Sequence, residues 1–289
     1  MELTKRSFLA AAALAVLAHF SMPANAADMI GNCELSGKKG SIPITNPAKA
    51  GQFTVVVSLP APIWWNGDTP ETIKDGMEYC FAAEIAWRAG YDKFELVNVG
   101  WDPLVTGQVT DFDLAISEIS ITDERKKVVD FSVPYFGSDI GVLVRADAPV
   151  DEKSIKQKTV GVQQATTGAT FVADVLKIPA GQTQVYPDQG DMFTALAAGQ
   201  IDAAVTDTSI VLAEEVKTKG QHVVAGQYKT GESYGAIYPK GGANNATLDK
   251  IIQSIIDDGT MSKLADKYLA AVWGKDPAKV PYFNVDAGS

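Results

Sequence analysis

The feature that most constrains this chain is an alternation of short apolar runs with amphipathic segments, and the alternation occurs twice in the same order. "FTVVVSL" from Phe53, "FELVNV" from Phe94 and "FDLAIS" from Phe112 read as buried strands. Between the first two, Met77, Phe81 and Ile85 recur every four residues and predict a helix that Gly90 can end. The order returns with "KTVGV" as a strand, "TGATFVADVL" and "GDMFTALAAG" as helices, and "IDAAVT" as a strand. Asp191 is suited to cap the second of these helices and Gly199 to stop it. Such an order predicts two α/β units, each built on a largely parallel sheet. Two extended segments, "GVLVRAD" and "SYGAIYP", are placed to carry the chain from one unit to the other and back. After the return, Leu248, Ile251, Ile252, Ile255 and Ile256 form a helical stripe, and Thr260 caps a last helix after Gly259. These helices are expected to pack on the first unit and make it discontinuous.

The chain opens with Lys5 and Arg6, an apolar run from Phe8 to Phe20, and Ala24-Asn25-Ala26. That combination predicts a cleavable signal peptide over residues 1–26. Its apolar run is about thirteen residues, short of the roughly twenty that a membrane-spanning helix needs. No later segment is long and apolar enough to span, and Asn32 before Cys33 does not fit a lipoprotein site, so a free periplasmic protein is expected. Residues 27–50, with Gly31, Gly37, Gly40, Pro43 and Pro47 and no hydrophobic period, predict an irregular leader. Cys33 and Cys80 form an even pair that an oxidising compartment favours as a disulfide; the alternative is a buried free thiol at Cys80 on the first helix.

Without residues 1–26 the chain carries 23 basic and 34 acidic residues, a net charge of −11, with no basic cluster. That balance excludes nucleic acid and anionic membrane as partners. His222 is then the only histidine, which argues against a Ser-His-Asp hydrolase and a His-ligated zinc site. No metal and no cofactor is expected.

Four groups of residues are candidates for a site. In "SITDERKK", Thr122 can cap a short helix, and Asp123 and Glu124 suit its positive first turn. Arg125 opposes the helix dipole there, so it either grips a carboxylate with its planar fork or pairs at the surface with Asp123 or Glu124. "VGVQQATTGAT" is a strand followed by a polar turn at a helix start, where free N–H groups suit an anion. Thr166 and Thr167 either add hydroxyls to that site or simply cap the helix. Asp207 ends an apolar strand at the edge where open α/β sheets bind ligands, and either takes an ammonium or caps the next helix. Trp64, Trp65 and Trp101 follow strands and either cover a ligand or pack.

Taken together, "FDLAISEISITDERKKVVDFSVPYF", "DGMEYCFAAEIA", "VGVQQATTGAT", "GQIDAAVTD" and "DDGTMSKLADKYL" resemble, in order, the periplasmic amino-acid-binding proteins of ABC importers. The resemblance runs from about Phe53 to about Trp273. It implies a two-lobed α/β fold with a two-strand hinge and a ligand cleft between the lobes. The division expected is lobe 1 over residues 51–139 and 232–289, and lobe 2 over residues 140–231. By position, Arg125 would clamp the α-carboxylate with help from Thr167, and Asp207 would take the α-ammonium, with Ser120 and the Glu118 carbonyl beside it. Buried charges of this kind need pairing and hydrogen bonds to offset desolvation. The implied partners are an amino acid or derivative and the permease of an ABC importer, with the protein a monomer.

The sequence departs from the family pattern at three places. Glu118 stands where a small residue is usual, Ala165 stands where a glycine usually precedes the threonines, and the aromatic expected near Pro60 is missing. Glu118 either faces the ligand, favouring a basic amino acid or amine-bearing conjugate, or turns away and leaves specificity to others. Two other readings are a periplasmic cyclohexadienyl-dehydratase-like enzyme on the same scaffold, with Glu118 as general acid, and a soluble sensory partner.

Overall fold

The computed structural model describes residues 27–287; the expected signal peptide lies outside them. A short hairpin of β1 (Met29–Ile30) and β2 (Cys33–Glu34) comes first. Beyond this hairpin, residues 27–50 are largely irregular, and they are held on the core. Ile30, Cys33, Leu35 and Ile44 are buried in the main core, and the Ser36 and Gly37 N–H groups donate to the Glu84 carboxylate at 3.0 and 2.7 Å. A disulfide joins Cys33 to Cys80, as the paired cysteines predict.

The first five-stranded sheet has the order β4-β3-β5-β12-β6, formed by β3 (Thr54–Val57), β4 (Glu95–Asn98), β5 (Leu114–Ala115), β6 (Asp130–Phe131) and β12 (Ile237–Tyr238). β3 runs parallel to β4 and β5, and β12 antiparallel to β5 and β6. The second sheet has the order β11-β7-β10-β8-β9, formed by β7 (Phe136–Arg145), β8 (Val160–Gln163), β9 (Thr183–Tyr186), β10 (Ala203–Asp207) and β11 (His222–Tyr234). β8 runs parallel to β9 and β10, while β7 is antiparallel to β10 and β11. Their inner strands read as continuous apolar runs because both faces are buried.

"GVLVRAD" is not a free connection. It lies in β7, which pairs on both sides within the second sheet. The chain crosses just before Phe136 and returns just after Tyr234, where the Tyr135 N–H donates to the Tyr234 carbonyl at 3.0 Å. The crossing segments thus lie side by side.

Helix α1 (Met77–Ala89) is buried along nearly its whole length, and Gly90 ends it in the left-handed conformation. The helices that matter for the site are α2 (Trp101–Val105), α3 (Asp123–Lys126), α4 (Thr167–Thr170), α5 (Gln189–Ala197) and α6 (Thr208–Lys217). α7 (Asn245–Asp257) and α8 (Thr260–Ala265) pack against α1. α5 is capped by Asp188, whose carboxylate accepts the Asp191 N–H at 2.8 Å, so Asp191 is the third helical residue and not the cap. The chain end also corrects the expected division. The Phe283 N–H donates to the Gln227 carbonyl, the Gln227 N–H donates to the Pro281 carbonyl, and Phe283 packs on Tyr228, which lays this segment along β11 at the edge of the second sheet.

Candidate functional site

Open α/β sheets bind ligands beyond the carboxyl ends of their strands. Here the ends of β3, β5, β8 and β10 converge from the two sheets. They deliver Ser58 to Ala61, Ser117 to Ser120, Gln163 to Thr167, and Asp207. Between them lies a narrow chamber, with free room of about 10 Å³, lined by Trp101, Ser120, Arg125, Thr167 and Asp207 among others. A second narrow space, with free room of about 20 Å³, adjoins it, lined by Ser58, Pro60, Ala61, Gln163, Asp188 and Gln189. Ser117, Glu118, Trp101 and Gln189 line both. An apolar groove lined by Val105, Val128, Phe171 and Val175 opens to solvent between the lobes and meets the first chamber at Arg125 and Thr167.

Thr122 caps α3, its hydroxyl accepting the Arg125 N–H at 3.2 Å. That turn points the Arg125 side chain inward, away from Asp123 and Glu124. Its guanidinium lies over the Trp101 ring at 5.2 Å and donates to the Ser120 carbonyl at 2.7 Å. It also donates across the cleft to the Ala165 carbonyl at 2.9 Å, a bond that Trp101 Nε1 repeats at 3.3 Å. The lobes are therefore closed. Two of five guanidinium donors are used, and no described carboxylate pairs with them. Burial lowers the Arg125 pKa to about 10, against the pull of Asp207 and Glu232. The group stays cationic at neutral pH.

Asp207 sits at the N-cap position of α6, but its side chain makes no capping bond. Its carboxylate instead accepts the Tyr234 hydroxyl. Burial pushes its pKa up to about 7 and Glu232 adds to this, while the Tyr234 bond and Arg125 oppose it. Thr166 is the cap of α4: its hydroxyl accepts the Ala169 N–H at 3.1 Å and donates to the Gln163 carbonyl at 2.7 Å. Its hydroxyl is thus engaged within the lobe, whereas Thr167 starts the helix at the chamber wall.

Glu118 is 5% exposed and its Oε1 has no hydrogen-bond partner among the described residues. Its N–H donates to Glu78 Oε1 at 2.9 Å. Burial first, then Glu78 and Asp207, hold its pKa well above the ordinary carboxylate range. Glu118 and Ala165 both adopt left-handed backbone, with φ of 51° and 56°. Such a conformation disfavours a residue with a Cβ by roughly 1–2 kcal/mol, and both residues face the site.

Trp64 and Trp65 are corrected. They are 1% and 0% exposed, belong to the main core and line neither chamber. Trp64 packs edge-on against Phe136 and Tyr234, and Trp65 Nε1 donates to Glu78 at 2.8 Å. Glu78 itself escapes the sequence reading. It is fully buried on α1, accepts the Tyr135 hydroxyl as well, and burial raises its pKa to about 7 against these hydrogen bonds. The signal was present as an acidic residue inside an apolar helical stretch. Gln163, Asp188, Gln189 and Tyr234 had no comparable signal.

The sequence model of the bacterial extracellular solute-binding proteins, family 3, matches residues 61–271. A probable histidine-binding protein of Neisseria gonorrhoeae is 28% identical over 250 residues, covering 84% of this chain and 91% of its own. The L-cystine-binding protein TcyJ of Escherichia coli (strain K12) is 29% identical over 203 residues, 68% of this chain and 74% of its own. Among solved structures, the arginine-, lysine-, histidine-binding protein ArtJ from Geobacillus stearothermophilus matches with a TM-score of 0.68 at 30% identity, covering 78% of this chain and 96% of that one.

Proposed function

This chain belongs to the bacterial extracellular solute-binding proteins, family 3, and from that premise we propose that it captures an amino acid between its two lobes and delivers it to the permease of an ABC importer. The observation that carries this reading is the chamber itself. One unpaired, buried arginine and a buried aspartate line a space closed between two sheets. A zwitterion supplies the missing partners: its carboxylate takes the free guanidinium donors and the Thr167 backbone, and its ammonium takes Asp207. Ser120 and the Glu118 carbonyl complete the ammonium's shell, and Trp101 closes the wall.

The Ala165 carbonyl joins Arg125 and Trp101 across the cleft, so closure couples ligand capture to contact between the lobes. The disulfide fits an oxidising, periplasmic setting reached through residues 1–26. The relatives reported above are binding proteins, and nothing among them favours the dehydratase reading.

A thermal-shift screen tests this on protein unfolded and refolded to strip bound ligand. The panel holds the common amino acids, ornithine, amine-bearing conjugates and prephenate. At a hundredfold excess over the dissociation constant, binding adds roughly 2.7 kcal/mol and raises the midpoint by about 5–10 °C. A shift confined to prephenate, or with no amino acid at all, would overturn the reading.

A further inference from the structure

The inference rests on the amino-acid reading and names the class of ligand. We propose that Glu118 selects an amino acid whose side chain carries a second cation, so that the preferred ligand has one carboxylate, two cationic groups and a net positive charge.

Position comes first. Glu118 lines the chamber that holds Arg125 and Asp207, and also the adjoining space beneath Pro60 and Ala61. It therefore stands where the head group of an amino acid gives way to its side chain. The unpartnered atoms there are acceptors: Glu118 Oε1, and Gln163 Oε1 in the adjoining space. Buried acceptors without donors are strongly unfavourable, so a fitting occupant brings hydrogen-bond donors to this end of the site.

The protein does not supply them. Tyr135 and Tyr234 are the nearby hydroxyls on the crossing segments, but the first donates to Glu78 and the second to Asp207. Arg125 is turned to Ser120 and Ala165. The Glu118 main chain is fixed on Glu78 in a left-handed turn, which limits how far its carboxylate can swing away.

Charge leads to the same class. Among the described residues, Arg125 is the only cationic side chain lining either chamber, against Glu118, Asp207 and Asp188. A ligand carboxylate on Arg125 and an α-ammonium on Asp207 pair those two groups, and a side-chain cation is then the partner that an ionised Glu118 takes. The groups that face Glu118 are Glu78 from α1, Asp207 from β10, Arg125 from α3, and Tyr135 and Tyr234 from the crossing segments. Burial, Glu78 and Asp207 favour its neutral form in the absence of ligand. A cationic side chain draws out the ionised form, so capture releases a proton and tightens as pH rises. A neutral amide side chain would instead accept from the protonated acid, so Glu118 stays protonated and only Asp207, drawn to its ionised form by the α-ammonium, releases a proton.

The test is titration calorimetry on stripped, refolded protein with two matched pairs: L-arginine against L-citrulline, and L-lysine against L-norleucine. Each is run at several pH values and in buffers of differing ionisation enthalpy. At least one cationic member should bind about a hundredfold or more tighter than its neutral partner, with proton release and with affinity rising with pH. Glu118→Gln should narrow that ratio to about tenfold or less, provided its melting curve shows a folded protein. If that variant does not fold, the wild-type ratio and the additional proton released by the cationic member of a pair over its neutral partner decide. Neutral members binding as well as cationic ones would overturn the selection by Glu118 and leave the amino-acid reading standing. Binding by none of the amino acids would overturn both.

Discussion

Asp207 and Glu118 stand at matching places on the two lobes, each at or just beyond the end of a strand that faces the cleft. Asp207 ends β10, and the hydroxyl of Tyr234 holds its carboxylate. Glu118 follows β5, and what is held is its main chain, through Glu78, while Oε1 has no partner among the described residues. A carboxylate with a protein donor is positioned in advance for one task, which in the proposed function is the ammonium common to all amino acids. A carboxylate without one is completed only by a ligand that differs from others. The contrast separates recognition of the class from selection within it.

Arg125→Ala should break the shared part of this arrangement and have the largest effect. Removing a buried, charge-assisted clamp should weaken binding of any amino acid by about 2–5 kcal/mol, which calorimetry will show as a loss of roughly 30- to 5,000-fold. Near-native affinity in that variant would mean that the carboxylate binds elsewhere.

Cys33→Ser tests the foundation of lobe 1. The bridge ties the first hairpin to α1, the helix that carries Glu78, and closes a loop of 47 residues. Its loss should lower stability in chemical denaturation by about 2–4 kcal/mol, with ligand affinity changed little because Cys33 is remote from both chambers. A large loss of affinity would show that α1 must be crosslinked for Glu118 to be placed.

The two tyrosines sharpen the comparison further. Tyr234→Phe removes the donor that favours ionised Asp207 and should weaken binding by about 1 kcal/mol. Tyr135→Phe acts on Glu78, one step further from the ligand, so its effect on affinity should be smaller. Equal effects would mean that both carboxylates touch the ligand.

A last effect is on the pH dependence of the empty protein. Glu78 and Asp207 titrate near 7 when folded, above their ordinary values of 4.5 and 3.8. Raised pKa values of this kind contribute stability that is full below the ordinary values and lost as pH rises through about 7. The melting midpoint without ligand should therefore fall as pH rises from mild acid through 7. A saturating cationic amino acid should lessen that fall, and a neutral one should lessen it less.

Much of the frame was legible in the sequence because it depends on local pattern. β-branched runs marked the inner strands, the four-residue apolar spacing marked α1, and Thr122 marked the start of α3 that aims Arg125. What could not be read depends on distant segments meeting. Glu78 reaches the Glu118 N–H across 40 residues, and Tyr234 reaches Asp207 across 27. Trp64 and Trp65 were misread for the same reason: a tryptophan after a strand looks alike whether it covers a ligand or packs on Phe136 and Tyr234. Residues 27–50 lack a period, yet a disulfide and bonds to Glu84 hold them on the core.

The most direct measurement is a crystal structure of the refolded protein with the tightest-binding amino acid found in the calorimetric pairs. The account predicts the ligand carboxylate on Arg125, its α-ammonium on Asp207, and a side-chain cation within about 2.7–3.2 Å of a Glu118 carboxylate oxygen. A bound amino acid whose side chain leaves Glu118 without a donor, or whose head group lies away from Arg125, would contradict it.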